Sequence, residues 1–495
     1  LKLRISDRAL FVGSTTVALG VRVLSTMALA RFLSKEDYGR YQMVISTAGL
    51  VSAFGDFGVY RFVTSRQDLP AEETLDAAVR ITLYVFGAYA VVALLSGLFY
   101  WRFFEDSRLI WAGLFNALTF AALGYYNLQS AALARELRFA RMAGAEAATI
   151  VFTALAGIAL AAGGAGIFAL ALPPFAAQLA AVLMLRGHAG IRRPRRGHNP
   201  VMKALVGFGW QNAAYDFLTM LQWNLYYLTV GSVNAPGVTG RDERAAALGL
   251  FGRAVNICSL FGHNLTQAVD RVIYPLLCKA PDDPPRFSGL FIRGSAILIA
   301  VAGVGGVALP AVGEDLVIVA MGPAWLPVVP AMVVLSFGLW FIGFLRLGVM
   351  AAMIAGKPLI AAAFCLIQVA LIAPSGWVYH RYGLPAFCGV IVLTQAVVHT
   401  AFLAYTMRRY AIPATALLRR LIPLVTVLAL AGLAMFAVRE RMLTWDSEFG
   451  RFLPAVGRLS VAGLAGLLVG AAGMTLLDRT TLRELLNLVS RPARR

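Results

Sequence analysis

Residues 288–312 read SGLFIRGSAILIAVAGVGGVALPAV, and from Gly294 onward the run carries no charged side chain. A helix needs about 20 such residues to cross a hydrocarbon core about 30 Å thick. Lipid offers no partner to backbone N–H and C=O groups, so a segment of this kind satisfies them within its own helix. Runs of similar length recur on both sides, from Ala9 to Leu477. Hydropathy places about fourteen of them, near residues 9–33, 41–65, 77–101, 108–133, 144–164, 166–186, 206–231, 246–277, 288–312, 325–354, 358–379, 384–407, 415–438 and 453–477. Of the whole chain, 59% is hydrophobic and only 14% charged. Soluble domains carry about 25% charge, so this composition could not cover a water-facing surface. The expected fold class is an all-α polytopic membrane protein of about fourteen transmembrane helices.

The formal net charge is +19, and its placement tells more than its size. Lys2, Arg4 and Arg8 precede the first span, and basic residues return at every second connection. They include Arg135, Arg138 and Arg141, the run Arg186 to Lys203, then Lys279 and Arg286, Lys357, Arg408 to Arg420, and Arg479 to Arg495. The intervening connections are short or mixed, as at Glu105-Asp106 and Glu314-Asp315. By the positive-inside rule this alternation predicts both termini in the cytoplasm and an even span count. The excess charge then serves topology and contact with anionic membrane lipids. No aromatic-interleaved basic platform accompanies it, which argues against a nucleic-acid partner.

The N-terminal apolar run is too long for a signal-peptide core and reads as an uncleaved first span. Leu1 stands where an initiator is expected, which suggests a missing or alternatively decoded start. Cys258, Cys278, Cys365 and Cys388 lie in or beside apolar spans without metal-ligand spacing, so neither a disulfide framework nor a metal is expected. There is no Walker loop, no HExxH and no serine elbow with a plausible triad, so neither a catalytic centre nor a cofactor is predicted.

The domain organisation expected is an N-terminal lobe over 1–186, a basic cytoplasmic linker over 187–205, a C-terminal lobe over 206–407, and two further helices with a cytoplasmic tail over 408–495. A weak internal echo supports two lobes. A shift of about 210 residues lays Tyr38-Gly39-Arg40-Tyr41 over Leu248-Gly249-Leu250-Phe251, and Val59, Arg61 and Val63 over Val269, Arg271 and Ile273. Transporters built from such repeats place the substrate between them, so two pseudo-repeated lobes around a central cavity are expected.

Several blocks occur in a recognisable order. Leu29-Ala30-Arg31 is followed by Asp37-Tyr38-Gly39 and Gly55-Asp56-Phe57-Gly58, then Arg135-Glu136-Leu137-Arg138-Phe139. Farther on stand Gly249-Leu250-Phe251-Gly252-Arg253-Ala254, Gly322-Pro323-Ala324-Trp325-Leu326-Pro327 and Ala355-Gly356-Lys357-Pro358. Together they resemble the bacterial polysaccharide transporters of the multidrug/oligosaccharidyl-lipid/polysaccharide exporter superfamily. The likeness is scattered over residues 9–410, and the last two spans carry none of it. The resemblance implies a fourteen-helix, two-lobed flippase of the inner membrane. Such a protein moves polyprenyl-diphosphate-linked oligosaccharide from the cytoplasmic to the periplasmic leaflet by alternating access, for O-antigen, capsule or exopolysaccharide assembly. It further implies a polysaccharide polymerase and a chain-length regulator as partners.

Carrying a diphosphate and a polar glycan through a low-dielectric region calls for fixed cations. A lone charge in mid-span costs about 2.5–3.5 kcal/mol on insertion scales and is a site candidate by default. Arg22 stands midway along the first span, and its planar fork suits a diphosphate; a structural ion pair is the competing reading. Arg61 and Arg271, equivalent under the repeat, are either inner-mouth contacts for the diphosphate or snorkelling residues that set helix depth. Arg253 and Arg346 face the same choice, with Arg253 the better cavity candidate. Asn256 and Asn264, with His263 and Gln267, form a polar stripe suited to sugar hydroxyls or to interhelical bonding. Asp216, near Asn212, Gln222 and Asn224 on the seventh span, is the candidate for ion coupling through protonation or, alternatively, neutralises a buried arginine.

Two other functions compete. A polysaccharide polymerase or ligase needs a sizeable outer region, and no outer connection here exceeds about 20 residues. A cation-coupled drug antiporter should carry uncompensated cavity carboxylates, whereas the deep charge of the first span is Arg22, which favours an anionic substrate.

Overall fold

The apolar runs form helices throughout a computed structural model of the chain, which describes residues 20–21, 24–52, 59, 62–63, 70–135, 139–187, 200–266, 273–274, 277–278, 283–355, 357–442 and 452–477. Among the described residues the single β feature is an isolated bridge between Ala235 and Val238. Among the described residues ten helices are long and apolar enough to cross a membrane, or eleven if a bent pair counts as one span. The chain is an all-α, multi-pass membrane protein. Cα packing divides it into two units, Leu1–Gly249 and Leu250–Arg495.

In the first unit a helical stretch over 24–32 leads to α1 (Lys35–Ser52). Ser34 starts α1 as an N-cap, its hydroxyl accepting from the Asp37 N–H at 3.0 Å, and Glu36 and Asp37 complement the positive end of the helix dipole. Next come α2 (Ala71–Phe104), α3 (Arg108–Arg135), α4 (Phe139–Ala162), α5 (Phe168–Leu185) and α6 (Val201–Ser232). α2 ends where Glu105 turns into the left-handed region (φ 56°). α2 and α3 then pack backbone to backbone. A Cβ on Gly97 would stand 2.8 Å from the Gly113 Cα, and one on Gly113 would stand 2.7 Å from the Gly97 Cα. Small residues permit such approach in lipid, where tight packing replaces the hydrophobic drive. α1 lies against α2 and α6, and α5 against α3 and α4. The expected lobe boundary at 187–205 precedes α6, whereas α6 packs within the first unit through its contacts with α1 and α2. Although 32 residues long, α6 is not among the ten, because Asn212, Asp216, Gln222 and Asn224 lower its hydropathy.

The helix α7 (Arg241–Ser259) begins in the first unit, and its residues from Leu250 belong to the second. It continues through a π-helical turn, Leu260–Leu265. The second unit adds α8 (Pro284–Met321), a 3₁₀ turn over Pro323–Val328, α9 (Val329–Ser336), α10 (Leu339–Ile354), α11 (Pro358–Ile372), α12 (Ser375–Tyr382), α13 (Leu384–Arg409), α14 (Ala414–Met442) and α15 (Phe452–Leu477). The span expected over 325–354 is broken, with its halves Pro323–Ser336 and Leu339–Ile354 meeting at 49°. The run over 288–312 lies inside α8, whose apolar window is 72% buried against 17% for α15. Similar hydropathy therefore hides opposite placements: α8 is the core of its unit and α15 is largely exposed on it. Phe287, Phe291, Leu298, Leu347, Leu421 and Leu424 form the main core cluster, and Gly303 and Gly306 leave room for the Trp340 ring.

Candidate functional site

Of the residues singled out in the sequence, Arg22, Arg61 and Arg271 lie outside the described residues, as does the side chain of Asn264. In the second unit Arg253 is buried on α7, with its guanidinium carbon 5.4 Å from the centre of the Trp325 ring. That is cation–π distance, and it joins two of the recognised motif blocks. Asn256, half-buried one turn later, accepts from the Ser259 hydroxyl through its carbonyl at 2.8 Å. His263 sits in the π turn. Arg346 Nη2 donates to its Nδ1 at 3.0 Å, and since arginine only donates, the imidazole nitrogen is the acceptor. Asp216 is half-buried on α6. Its neighbour Asn224 spends an amide hydrogen on the Met220 carbonyl at 2.7 Å. His399 is buried, with Nδ1 3.2 Å from the Phe341 carbonyl oxygen. Among the described residues no group of three or more His, Cys, Asp or Glu is arranged to hold a metal.

Two charge networks that the sequence did not disclose dominate the polar chemistry. The first gathers at the end of the first unit where α1, α3 and α7 begin. Arg108 donates to Asp106 Oδ2 at 2.8 Å and to Asp37 Oδ1 at 2.9 Å. Arg40 donates through Nη1 to Asp106 at 2.8 Å and through Nη2 to Asp242. Arg241 pairs with Glu105, and Arg244 lies over the Phe103 ring, 5.2 Å from its centre. Burial is the largest single influence on Asp106 and raises its pKa. Hydrogen bonds from Arg108, with the charges of Arg108 and Arg40, outweigh it and hold the carboxyl below its ordinary value. Glu105 is lowered by its hydrogen bond and charge contact with Arg241.

Glycine lets the helices carrying these charges meet. A Cβ on Gly39 would collide with the Ala245 carbonyl, and one on Gly249 with the Lys35 carbonyl. These two glycines, paired by the shift of about 210 residues, face each other where α1 crosses α7. The motif Asp37-Tyr38-Gly39 therefore holds two functions in three residues, an acceptor for Arg108 and a backbone contact. Glu105-Asp106, read in the sequence as a mark of topology, was the signal that could have pointed here.

The second network lies in the second unit, where α8 and α14 end and α15 begins. Asp315 is fully buried. Arg439 Nε donates to its Oδ2 at 2.7 Å, and Arg458 donates to its Oδ1 through Nε at 2.9 Å and Nη2 at 2.8 Å. A further bond runs from Arg439 to Glu314 at 2.6 Å. The two final helices, which carry no recognised motif, are thus pinned to the core helix by ion pairs.

Comparison with known proteins agrees with this architecture. Residues 28–330 match a family described as polysaccharide biosynthesis protein. No curated protein sequence matches the chain. Among solved structures, the chain is similar to the lipid II flippase MurJ in an inward closed conformation, with TM-score 0.71 and 14% identity over 96% of this chain and 100% of the other. It is also similar to an inward-facing multidrug resistance MATE transporter of the MOP superfamily (TM-score 0.56, 12% identity, 80% of this chain and 98% of the other). A point mutant of the Vibrio cholerae MATE transporter VcmN gives 0.56 at 13% identity over 83% of this chain and 98% of the other. With three fifths of its length matched by one family and four fifths or more of its fold shared with these transporters, the chain belongs to the polysaccharide biosynthesis protein family and has the fold of the MOP superfamily.

Proposed function

We propose that the protein is a flippase, not an enzyme, and that it moves polyprenyl-diphosphate-linked oligosaccharide from the cytoplasmic to the periplasmic leaflet of the bacterial inner membrane. The observation that carries this reading is the joint one: a polysaccharide-biosynthesis family match in a chain whose fold follows that of a lipid II flippase over 96% of its length. The glycan would serve O-antigen, capsule or exopolysaccharide assembly, with a polymerase and a chain-length regulator downstream. The alternation of Lys and Arg supports cytoplasmic termini, which puts Glu105-Asp106 and Glu314-Asp315 at the outer ends of their helices. Arg22, Arg61, Arg253 and Arg271 are the proposed diphosphate contacts, Asn256 and Asn264 the sugar contacts, and Asp216 the ion-coupling group.

Flipping of a fluorescent polyprenyl-diphosphate oligosaccharide in proteoliposomes tests the reading directly. Arg22→Ala abolishes flipping with insertion intact, and Arg22→Lys restores part of it, because an ammonium lacks the bidentate fork. Asp216→Asn keeps substrate binding and loses the response to a pH gradient. Normal flipping by Arg22→Ala at normal expression removes that residue from the site. The likeness to MATE transporters supports a second reading, a cation-coupled drug antiporter. Gradient-driven efflux of an organic cation, without flipping of the lipid-linked glycan, would establish it in place of the first.

A further inference from the structure

We propose that the start of α8, the turn between α10 and α11 and the turn between α13 and α14 together bind the phosphate headgroup of an anionic phospholipid. The site lies wholly in the second unit and takes its leaflet, the cytoplasmic one, from the positive-inside reading. It does not depend on what the protein transports.

One end of this unit neutralises its arginines and the other does not. Where α8 and α14 end, Arg439 and Arg458 share Asp315. Where the same two helices start, Arg286, Lys357, Arg408, Arg409 and Arg419 are within or beside the turn region, and none of them forms an ion pair with a described residue. All of them are exposed. Asp283, beside them in sequence, is spent as the N-cap of α8, accepting from the Arg286 backbone N–H at 3.1 Å. Like charges are thus gathered without a protein counter-charge. Their depth fits a lipid headgroup. From Arg286 to Asp315 α8 rises about 44 Å, close to the thickness of a bilayer with its headgroup regions, about 40–45 Å. With the ends of α8 at opposite surfaces, these cations stand at the level of lipid phosphates.

Topology asks only for net positive charge somewhere in a connection, whereas these cations are held in place. Tyr410 follows the last residue of α13 and stacks on Phe287 of α8, with ring centres 4.5 Å apart and planes at 19°. Its hydroxyl donates to the Ala351 carbonyl of α10 at 3.0 Å. Arg409 and Arg286 immediately precede the two stacked rings in sequence, so the stack brings their backbones together. Ala411 takes the left-handed backbone (φ 50°), and Ile412 and Leu417 are buried in the same core cluster as Phe287. A turn pinned in this way fixes Arg408 and Arg409 before it and Arg419 after it, which lowers the ordering that binding must supply. Guanidinium forks match phosphate oxygens two at a time, and basic pockets between helices on the cytoplasmic side suit polyanionic headgroups. Exposed Tyr405 lies about a turn deeper than Arg408 and Arg409, and exposed Ile422 about a turn deeper than Arg419. They offer acyl chains an apolar surface below the headgroup, which a soluble phosphate would not use.

The test titrates the purified full chain in detergent with cardiolipin, phosphatidylglycerol or phosphatidylcholine and counts bound lipid by native mass spectrometry. Cardiolipin, with two phosphates, binds most tightly and zwitterionic phosphatidylcholine least. Arg408→Gln combined with Arg409→Gln weakens cardiolipin binding about 10–30-fold and leaves the melting temperature without lipid unchanged. Tyr410→Ala, which keeps every cation and frees the turn, also weakens it, whereas Tyr410→Phe, which keeps the stack, retains most of the affinity. Arg141→Gln combined with Lys203→Gln removes two exposed cations of the first unit and binds cardiolipin like the parent. Equal affinity for cardiolipin and phosphatidylcholine overturns the site, as does equal weakening in the first-unit variant. Inorganic pyrophosphate that displaces cardiolipin at equal concentration makes this a soluble-anion site, and tighter retention of a polyprenyl diphosphate than of cardiolipin assigns it to a transported lipid; either result overturns the proposal. No transport is measured, so a protein that binds cardiolipin here but flips no lipid-linked glycan refutes the flippase reading and leaves the lipid site standing.

Discussion

The charge networks of the two units use the same residue types and differ in their access to water. Around Asp315 in the second unit, two arginines from different helices converge on a carboxylate with no exposed surface. Around Asp106 in the first, sheltering falls off outward until the last pairs stand in the open. Burying an ion pair costs desolvation that only good geometry repays, and removing one member leaves its partner's charge poorly compensated. The second network is therefore a fixed joint. It adds an ion-pair joint to the apolar packing that already holds α14 and α15 against α8. The first network is graded, and the grading assigns fixed and labile roles to neighbouring pairs.

The largest effect that would sharpen this contrast is expected at Asp315. Asp315→Ala takes from Arg458 the carboxylate it is bonded to and leaves Arg439 with Glu314 and Glu440, at a cost of about 3–5 kcal/mol, seen as poor expression and a lowered melting temperature in detergent. Replacing all three by hydrophobic residues, as Asp315→Leu with Arg439→Met and Arg458→Met, should recover most of the loss. A wild-type melting temperature for the single variant would show that the buried joint carries no stability.

A smaller effect is expected at the glycine crossing. Gly39→Ala or Gly249→Ala drives a methyl group into a backbone carbonyl that cannot turn aside, and overpacking of this sort costs about 1–3 kcal/mol. Gly289→Ala and Gly463→Ala, where a Cβ meets nothing within 4 Å, are the controls and should melt like the parent. Equal behaviour of the two sets would remove close backbone approach as the reason for glycine at 39 and 249.

Acid separates the networks next. The Asp106 carboxyl is held below its ordinary value of about 4 by Arg108 and Arg40 against the opposing effect of burial. A depressed folded-state pKa stabilises at pH above the unfolded value, and that contribution is lost as pH falls through the folded one. The Asp106 contribution to melting temperature should therefore be constant above about pH 5 and should decline below about pH 4. Asp106→Asn should flatten part of that acid limb. An acid limb of unchanged slope in the variant would show that Asp106 does not report on folding.

The smallest effect belongs to the exposed pairs. Arg241→Gln and Asp242→Asn should each change stability by less than about 1 kcal/mol, with little salt dependence left. A loss of several kcal/mol, measured by thermal or chemical unfolding, would make these pairs as structural as Asp315 and erase the contrast between the networks.

How much of this was legible depended on whether a feature is local in sequence. The span over 288–312 became the core of α8, and the short gap between the spans over 144–164 and 166–186 became the turn between α4 and α5. A break such as the 49° bend after Ser336 was not foreseen, since an unbroken apolar run is indifferent to where it turns. Candidate site residues were chosen by depth within a span. That criterion passes over Asp315, which stands near the end of its helix and is nevertheless among the most buried carboxylates of the described residues.

By itself the sequence determined that the chain crosses a membrane repeatedly as helices, because lipid leaves each backbone group no partner outside its own segment, and a run of apolar residues is visible without any fold. It also determined the family, through short motifs kept in order. Which charges meet was decided only in three dimensions. Arg40 and Asp242 are 202 residues apart, and Arg439 and Arg458 lie 124 and 143 residues from Asp315. Charges at helix ends look alike along a sequence, and only packing sets which of them lose their water. Burial, which shelters one ion pair and leaves another open to water, is a property of the neighbours that tertiary structure brings together.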